Sequence, residues 1–321
     1  MKPLIWIIDE EWADYDREIE MLNEKYPEYT IKMSGYDYQK DLEEFGKDAD
    51  AIMAQIYTHI PKETIDKLDN CKAIAVYGGG YDRVDTKAAR QKGIRVTNVS
   101  NYCKEDLADY VMATIYHFYK EIFSVAQDVK NLEWGAQAIS YPQNRLTKQT
   151  LHIIGFGRIG QEVAKKAIAN GMKVTAVDIY QAIDTASVFG VERVSWEEGL
   201  KNADFVSLNC IQNDDTIGLL KYEDFCLMKP SAVFINTARG RIPNEADLIR
   251  AVKEKKIKAA VVDVIENEPP NYSEEIFAVD NIYVTPHISY ISQQSYNELK
   301  ERAVKNIIMG MEDVDSPDLV N

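Results

Sequence analysis

One stretch constrains this chain more than any other: "LHIIGFGRIGQEVAKKAIANGMKVTAVDIY", residues 151–180. A short apolar run leads into Gly155, Gly157 and Gly160, spaced G-x-G-x-x-G, and a helical segment follows them. Glycines at that spacing carry little weight alone. Here they sit between a strand and a helix, the helix stops at Asn170-Gly171, and a second strand, "KVTAV", delivers Asp178. That is the context a dinucleotide-binding βαβ unit requires. Gly155 permits the tight turn, Gly157 lets the backbone approach a pyrophosphate, and Gly160 lets helix and strand pack closely. Arg158 and Ile159 complete the turn, whose helix N-terminus offers N–H groups and partial positive charge to phosphates. Asp178 suits the ribose hydroxyls and would repel a 2′-phosphate. No Arg or Lys follows it directly in "DIYQ". The cofactor expected is NAD rather than NADP.

The rest of the chain extends the same pattern. At 321 residues it exceeds one typical core, so two domains are expected. Apolar runs "LIWIID", "YTIKM", "AIMAQI", "KAIAVY" and "IRVTNV" alternate with polar helical segments. A second series follows: "LHIIG", "KVTAVD", "FVSLNC", "VFINTA", "AAVVDV" and "NIYVTP". Such alternation implies α/β architecture, two doubly wound parallel sheets covered on both faces. Between the series, residues from Lys104 to about Val129 lack Gly and Pro. Leu107, Val111, Ile115, Phe118 and Ile122 mark one apolar face, which predicts a single long helix. The segment from about Ser292 to Met311 reads as a terminal helix that returns to the first domain. The expected division is residues 1–101 with 288–321, and 102–287.

Composition excludes some partners. Lys plus Arg is 37 and Asp plus Glu is 52, a formal charge of −15, which repels nucleic acid and anionic membrane. Four scattered cysteines lack metal-ligand spacing and read as reduced thiols in a cytoplasmic protein. No metal is expected. The apolar run "LIWII" is too short for a signal peptide or a membrane span.

Three strand ends carry chemistry. "VFINTA" runs into Arg239-Gly240, "AAVVDV" runs past Asp263 toward Glu268, and "NIYVTP" ends at His287. In an open parallel sheet, ligands bind beyond the carboxyl ends of the strands, so these residues can converge though distant in sequence. Reduction of a 2-keto acid needs a cation for its carboxylate and carbonyl, which suits Arg. It also needs a proton donor near neutral pH, which suits His, and a carboxylate to orient the ring and favour the imidazolium.

"NTARG", "DVIENEP" and "TPH", in that order after "GFGRIG…VD", resemble the D-isomer-specific 2-hydroxyacid dehydrogenase family. "GGGYDRVD" and "NVSNYCKEDLADY" match it upstream, and the resemblance weakens before about residue 50. Within the family, "NYCKEDLAD" and "PHISYISQQS" look closest to the C-terminal-binding-protein-like branch. "PH" followed by an aromatic is also similar to D-lactate dehydrogenases. The resemblance implies a Rossmann NAD-binding domain and a flavodoxin-like substrate domain with the cleft between them, usually in a homodimer. It implies that Arg239 binds the substrate, that His287 donates the proton and that Glu268 partners it. Asp263 would meet the nicotinamide carboxamide, and Thr237 and Ala238 would line the cofactor. The backbone at Gly79 and Gly80 would hold the substrate carboxylate, and Tyr290 would stand against the substrate side chain.

The chain departs from the family pattern in four places. Asn209 and Ile211 replace the usual His and Pro. Arg241 follows Arg239-Gly240 where a glycine is usual, and Pro243-Asn244 replaces Val-Asp. Val76 stands where the C-terminal-binding branch has an Arg. Of the other histidines, His152 is expected to pack inside its strand, and His117 falls in the long helix. His59, Gln55 and Tyr57 are candidates for shaping specificity. The expected activity is NADH-dependent reduction of a 2-keto acid to a D-2-hydroxy acid. Two alternatives are an NADH-responsive scaffold resembling the C-terminal-binding co-repressors, and hydride transfer on a smaller acid such as formate or phosphite.

Overall fold

The computed structural model describes residues 3–130, 134, 135, 144–180 and 190–321, the side chains of residues 124 and 128 excepted. Gln181, which enters the cofactor reading above, lies outside them. The chain divides into two compact units, Met1–Tyr102 with Ser292–Asn321, and Cys103–Ile291.

The first unit is built on five parallel strands, β1 (Leu4–Ile8), β2 (Thr30–Ser34), β3 (Ala51–Gln55), β4 (Ala73–Tyr77) and β5 (Arg95–Thr97), in the order β2-β1-β3-β4-β5. This is the flavodoxin-like order. Every residue of β1, β3 and β4 is buried, which explains why they read as apolar runs broken only by Gln55 at the end of β3: both sheet faces are covered. Each buried Ile, Val or Leu there contributes about 1.5–3 kcal/mol. The helix Gln293–Met311 packs on β4 and on the helix Asp16–Lys25. A Cβ at Gly310 would lie 2.6 Å from the Ala73 Cβ, so the close approach of this helix to β4 needs glycine. The buried Lys300 ammonium meets Glu18 at 3.2 Å and lies 4.8–5.6 Å from the rings of Trp12, Tyr15 and Tyr296. A buried cation persists when it is paired and lined in this way.

The second unit has seven parallel strands: β6 (Thr150–Ile154), β7 (Lys173–Val177), β8 (Glu192–Arg193), β9 (Phe205–Leu208), β10 (Val233–Asn236), β11 (Ala259–Val262) and β12 (Ile282–Val284). Their order is β12-β11-β10-β9-β6-β7-β8. Strand β6 is flanked by β7 and β9, so the chain reverses its direction of travel across the sheet there, the position where doubly wound sheets bind ligands. Strand β8 was not anticipated. It has two residues, both exposed, and no apolar pattern to reveal it.

The single long helix is corrected to two, Lys104–Lys120 and Ile122–Lys130. Glu121 takes a left-handed conformation at φ 48°, and its N–H closes the first helix on the His117 carbonyl at 2.8 Å. Leu107, Val111, Ile115 and Phe118 form the expected buried face, but Ile122, past the break, is 66% exposed. No described helix is long and apolar enough to cross a membrane.

His152 packs as expected. Its ring is fully buried against Gly199, where a Cβ would come within 2.1 Å of a ring carbon, and Nδ1 lies 3.0 Å from the Thr175 hydroxyl. Burial lowers its pKa from 6.5 to about 4. The folded protein therefore holds this imidazole neutral while the unfolded chain takes up a proton as pH falls below 6.5. Stability is lost across that window, by at most about 3 kcal/mol near pH 4. A His152→Gln variant should lose less stability than the parent between pH 7 and 4.5, read as denaturant midpoints. Parallel losses would show that His152 does not titrate in this way.

Candidate active site

The glycine turn is seated by contacts that only glycine permits. Gly155 has φ +90°, and a Cβ there would lie 2.7 Å from the Cys210 nitrogen and 2.8 Å from the Asn209 carbonyl carbon. A Cβ at Gly160 would lie 2.2 Å from the Gly155 oxygen, so the helix Arg158–Ala169 starts directly over the turn. At Gly157 the reverse holds: nothing lies within 4 Å of a Cβ position. No side chain caps this helix N-terminus, and Arg158 and Ile159 are its first residues. Open space beside uncapped N–H groups is what a pyrophosphate needs.

Asp178, one residue past β7, is tied to the same turn. Its Oδ2 accepts from the Phe156 N–H at 2.6 Å and its Oδ1 from the Tyr180 N–H at 2.8 Å. Past β9 and β10, Asn209 Oδ1 and Thr237 Oγ1 are buried and have no hydrogen-bond partner among the described residues. Buried polar atoms are normally satisfied, so these two are where a bound group would complete the bonding. The edge of β6, β7, β9 and β10 thus fits a dinucleotide: an open glycine turn for phosphates, a carboxylate for ribose, and two waiting acceptors.

Arg239, Glu268 and His287 come together on this unit. Asn236, fully buried at the end of β10, accepts from the Ala238 N–H at 2.9 Å and donates to the Arg239 carbonyl at 3.0 Å. Gly240 follows, and a Cβ there would lie 1.9 Å from the Ile265 carbonyl. The Arg239 loop therefore lies flat on the loop after β11, which carries Glu268. One Glu268 oxygen accepts from the Ile265 N–H at 3.0 Å, and the other faces His287 Nδ1 at 3.3 Å. Both side chains are 11% exposed. Burial opposes ionisation of Glu268, but the His287 hydrogen bond and charge, the Ile265 N–H and the Arg239 charge outweigh it, and its pKa is lowered.

His287 adopts φ +54°, an uncommon conformation for a residue with a side chain, so something must hold it. Its N–H bonds to the Asp263 and Thr285 carbonyls, both at 2.9 Å. The Asp263 carboxylate, 1% exposed, accepts from the Thr285 hydroxyl at 2.6 Å and from the N–H groups of Ile288 and Ser289 at 2.9 and 2.8 Å. Asp263, assigned from sequence to the nicotinamide, thus lies under the histidine loop and bonds it on both sides of His287. Tyr290, 6% exposed, stands edge-on to the His287 ring at 6.3 Å between centroids. Gly79 and Gly80 belong to the first unit, in the turn after β4, where the Gly79 carbonyl accepts from Asn98 at 2.7 Å.

Four of the residues that depart from the family pattern have definite places in the fold. Asn244 caps the helix Glu245–Lys253, accepting from the Asp247 N–H at 3.0 Å, which is the role an Asp serves equally well. Arg241 and Ile211 are exposed. Asn209 donates to the Ser207 carbonyl and hydroxyl at 3.0 Å each, leaving its oxygen as the buried acceptor noted above. Asn236 and Thr285 escaped the sequence reading. A polar residue closing a run of buried apolar ones is the signal that would have found Asn236.

A model of the NAD-binding domain of D-isomer-specific 2-hydroxyacid dehydrogenases matches residues 112–289. The chain is 33% identical to the glyoxylate reductase of Thermococcus litoralis, over 86% of this chain and 84% of that one. It is 30% identical to the glyoxylate reductase of Pyrococcus furiosus, over 100% and 96%. Among solved structures, the D-lactate dehydrogenase of Aquifex aeolicus, complexed with NAD and lactic acid, superposes with a TM-score of 0.85 at 25% identity, covering 99% of this chain and 98% of that one.

Proposed function

The chain belongs to the D-isomer-specific 2-hydroxyacid dehydrogenase family, and on that premise we propose that it reduces a small 2-keto acid to the D-2-hydroxy acid with NADH. The observation that carries this reading is the part-buried His287–Glu268 pair beside Arg239, on the unit that holds the dinucleotide turn. When bound at the glycine turn, NADH would supply a hydride to the keto carbon. The Arg239 guanidinium binds the substrate carboxylate and draws electron density toward the carbonyl oxygen. His287 delivers a proton to that oxygen as it becomes an alkoxide. Glu268, held ionised, orients the ring through Nδ1, which leaves Nε2 to face the substrate. The backbone at Gly79 and Gly80 and the ring of Tyr290 are assigned to the substrate on the sequence resemblance alone.

Glyoxylate is the first substrate to test, because both glyoxylate reductases above match most of this chain. Hydroxypyruvate, pyruvate, phenylpyruvate and 4-methyl-2-oxopentanoate extend the size range. The same reading makes the protein a cytoplasmic homodimer acting on a free acid, and its charge of −15 supports the exclusion of nucleic acid and anionic membrane. Placement on the C-terminal-binding branch, and with it the scaffold alternative, rests on "NYCKEDLAD" and "PHISYISQQS" only.

Asp178 is assigned the choice between NADH and NADPH. Asp178→Asn keeps an acceptor for the Phe156 N–H and removes the charge that repels a 2′-phosphate. The ratio of kcat/KM for NADPH over NADH should rise by about tenfold or more. An unchanged ratio would remove Asp178 from that role.

A further inference from the structure

We infer that Tyr110, two residues before the span matched by the family model, is a positioning residue for His287, acting through Thr285 and Asp263. The inference rests on His287 being the proton donor. Four bonds carry it. The Tyr110 and Thr285 hydroxyl oxygens are 2.6 Å apart, and the Thr285 hydroxyl donates to Asp263 Oδ1 at 2.6 Å. A threonine hydroxyl has one hydrogen, and here the carboxylate takes it, so Tyr110 is the donor to Thr285. Asp263 in turn fixes Ile288 and Ser289, the two residues after His287.

Tyr110 is well suited to this task. Burial raises its hydroxyl pKa to about 12, so it remains a donor through the neutral range. It projects from the helix Lys104–Lys120, whose apolar face belongs to the core of the second unit, and its own ring packs against that core. The chain therefore ties the left-handed His287 backbone to a rigid helix rather than to a loop. Each donation strengthens the next along such a series, so Thr285 grips Asp263 more firmly when Tyr110 donates to it.

The test uses the full chain and NADH with the best keto acid found for the parent. Tyr110→Phe keeps the ring and removes the donor. Its kcat should fall by about tenfold, with the dissociation constant for NADH unchanged. Thr285→Val should fall at least as far, Thr285→Ser should retain most activity, and the double variant Tyr110→Phe/Thr285→Val should be no slower than Thr285→Val alone. If Tyr110→Phe turns over like the parent, or if the two losses multiply, the positioning role is wrong. If kcat falls only in step with thermal stability, or Thr285→Ser is as slow as Thr285→Val, Tyr110 is merely a packing residue. Failure of the parent to reduce any keto acid would instead remove the reading of His287.

Discussion

Turnover of the His287→Gln variant should fall about 10²–10⁴-fold, the usual contribution of a positioned general acid. The size of the effect follows from what the site offers in its place. His287 is 11% exposed, so bulk water is a poor substitute donor, and Glu268, held ionised, has no proton to give in the neutral range. Glutamine can still bond to Glu268, so the loop retains that anchor while the proton donor is lost. NADH affinity should stay within about threefold of the parent, because the cofactor turn lies on other strands and the lost interaction belongs to the chemical step. Turnover close to the parent would show that the proton comes from elsewhere.

The second large effect falls on Arg239. Arg239→Lys retains the charge but not the planar fork that grips a carboxylate and its neighbouring carbonyl together. Its kcat/KM for the keto acid should fall by about 10²-fold, or about 3 kcal/mol of transition-state stabilisation. Arg239→Gln removes the charge as well, with a consequence beyond substrate binding. The guanidinium is one of the groups that lower the Glu268 pKa against the opposing effect of burial. Without it the Glu268 pKa rises, the carboxyl gains its proton at higher pH, and the acid limb of the activity profile should move upward in pH. A variant with reduced kcat/KM and an unmoved acid limb would confine Arg239 to substrate binding. Parental kinetics would exclude it from the site.

Much of this architecture was legible because parallel sheets conceal little. Buried strands such as Leu4–Ile8 and Ala259–Val262 are apolar throughout, so they announce themselves; the exposed pair Glu192–Arg193 has nothing to announce. The break at Glu121 was hidden because a non-glycine residue can take a left-handed conformation when a bond to the previous turn compensates, and composition does not record that bond. The site shows the same division. Glycines 155 and 160 are demanded by contacts a Cβ would violate, and a strict steric demand leaves a strict residue type. Arg239, Glu268 and His287 stand after strand ends, where an unusual polar residue is conspicuous. Their supports are not. Asn236, Thr285 and Tyr110 act through hydrogen bonds that a hydroxyl or amide in many positions could make, and only the fold shows which ones meet.

Stereospecific reduction of 2-keto acids is the activity expected of this chain. The most direct measurement follows NADH oxidation with glyoxylate, hydroxypyruvate, pyruvate, phenylpyruvate and 4-methyl-2-oxopentanoate, and resolves the chirality of the product wherever it has a stereocentre. At least one acid should be consumed mole for mole with NADH, and every chiral product should be the D-isomer. Tight NADH binding without reduction of any of them, the behaviour of an NADH-responsive scaffold, would contradict that activity, as would an L-product.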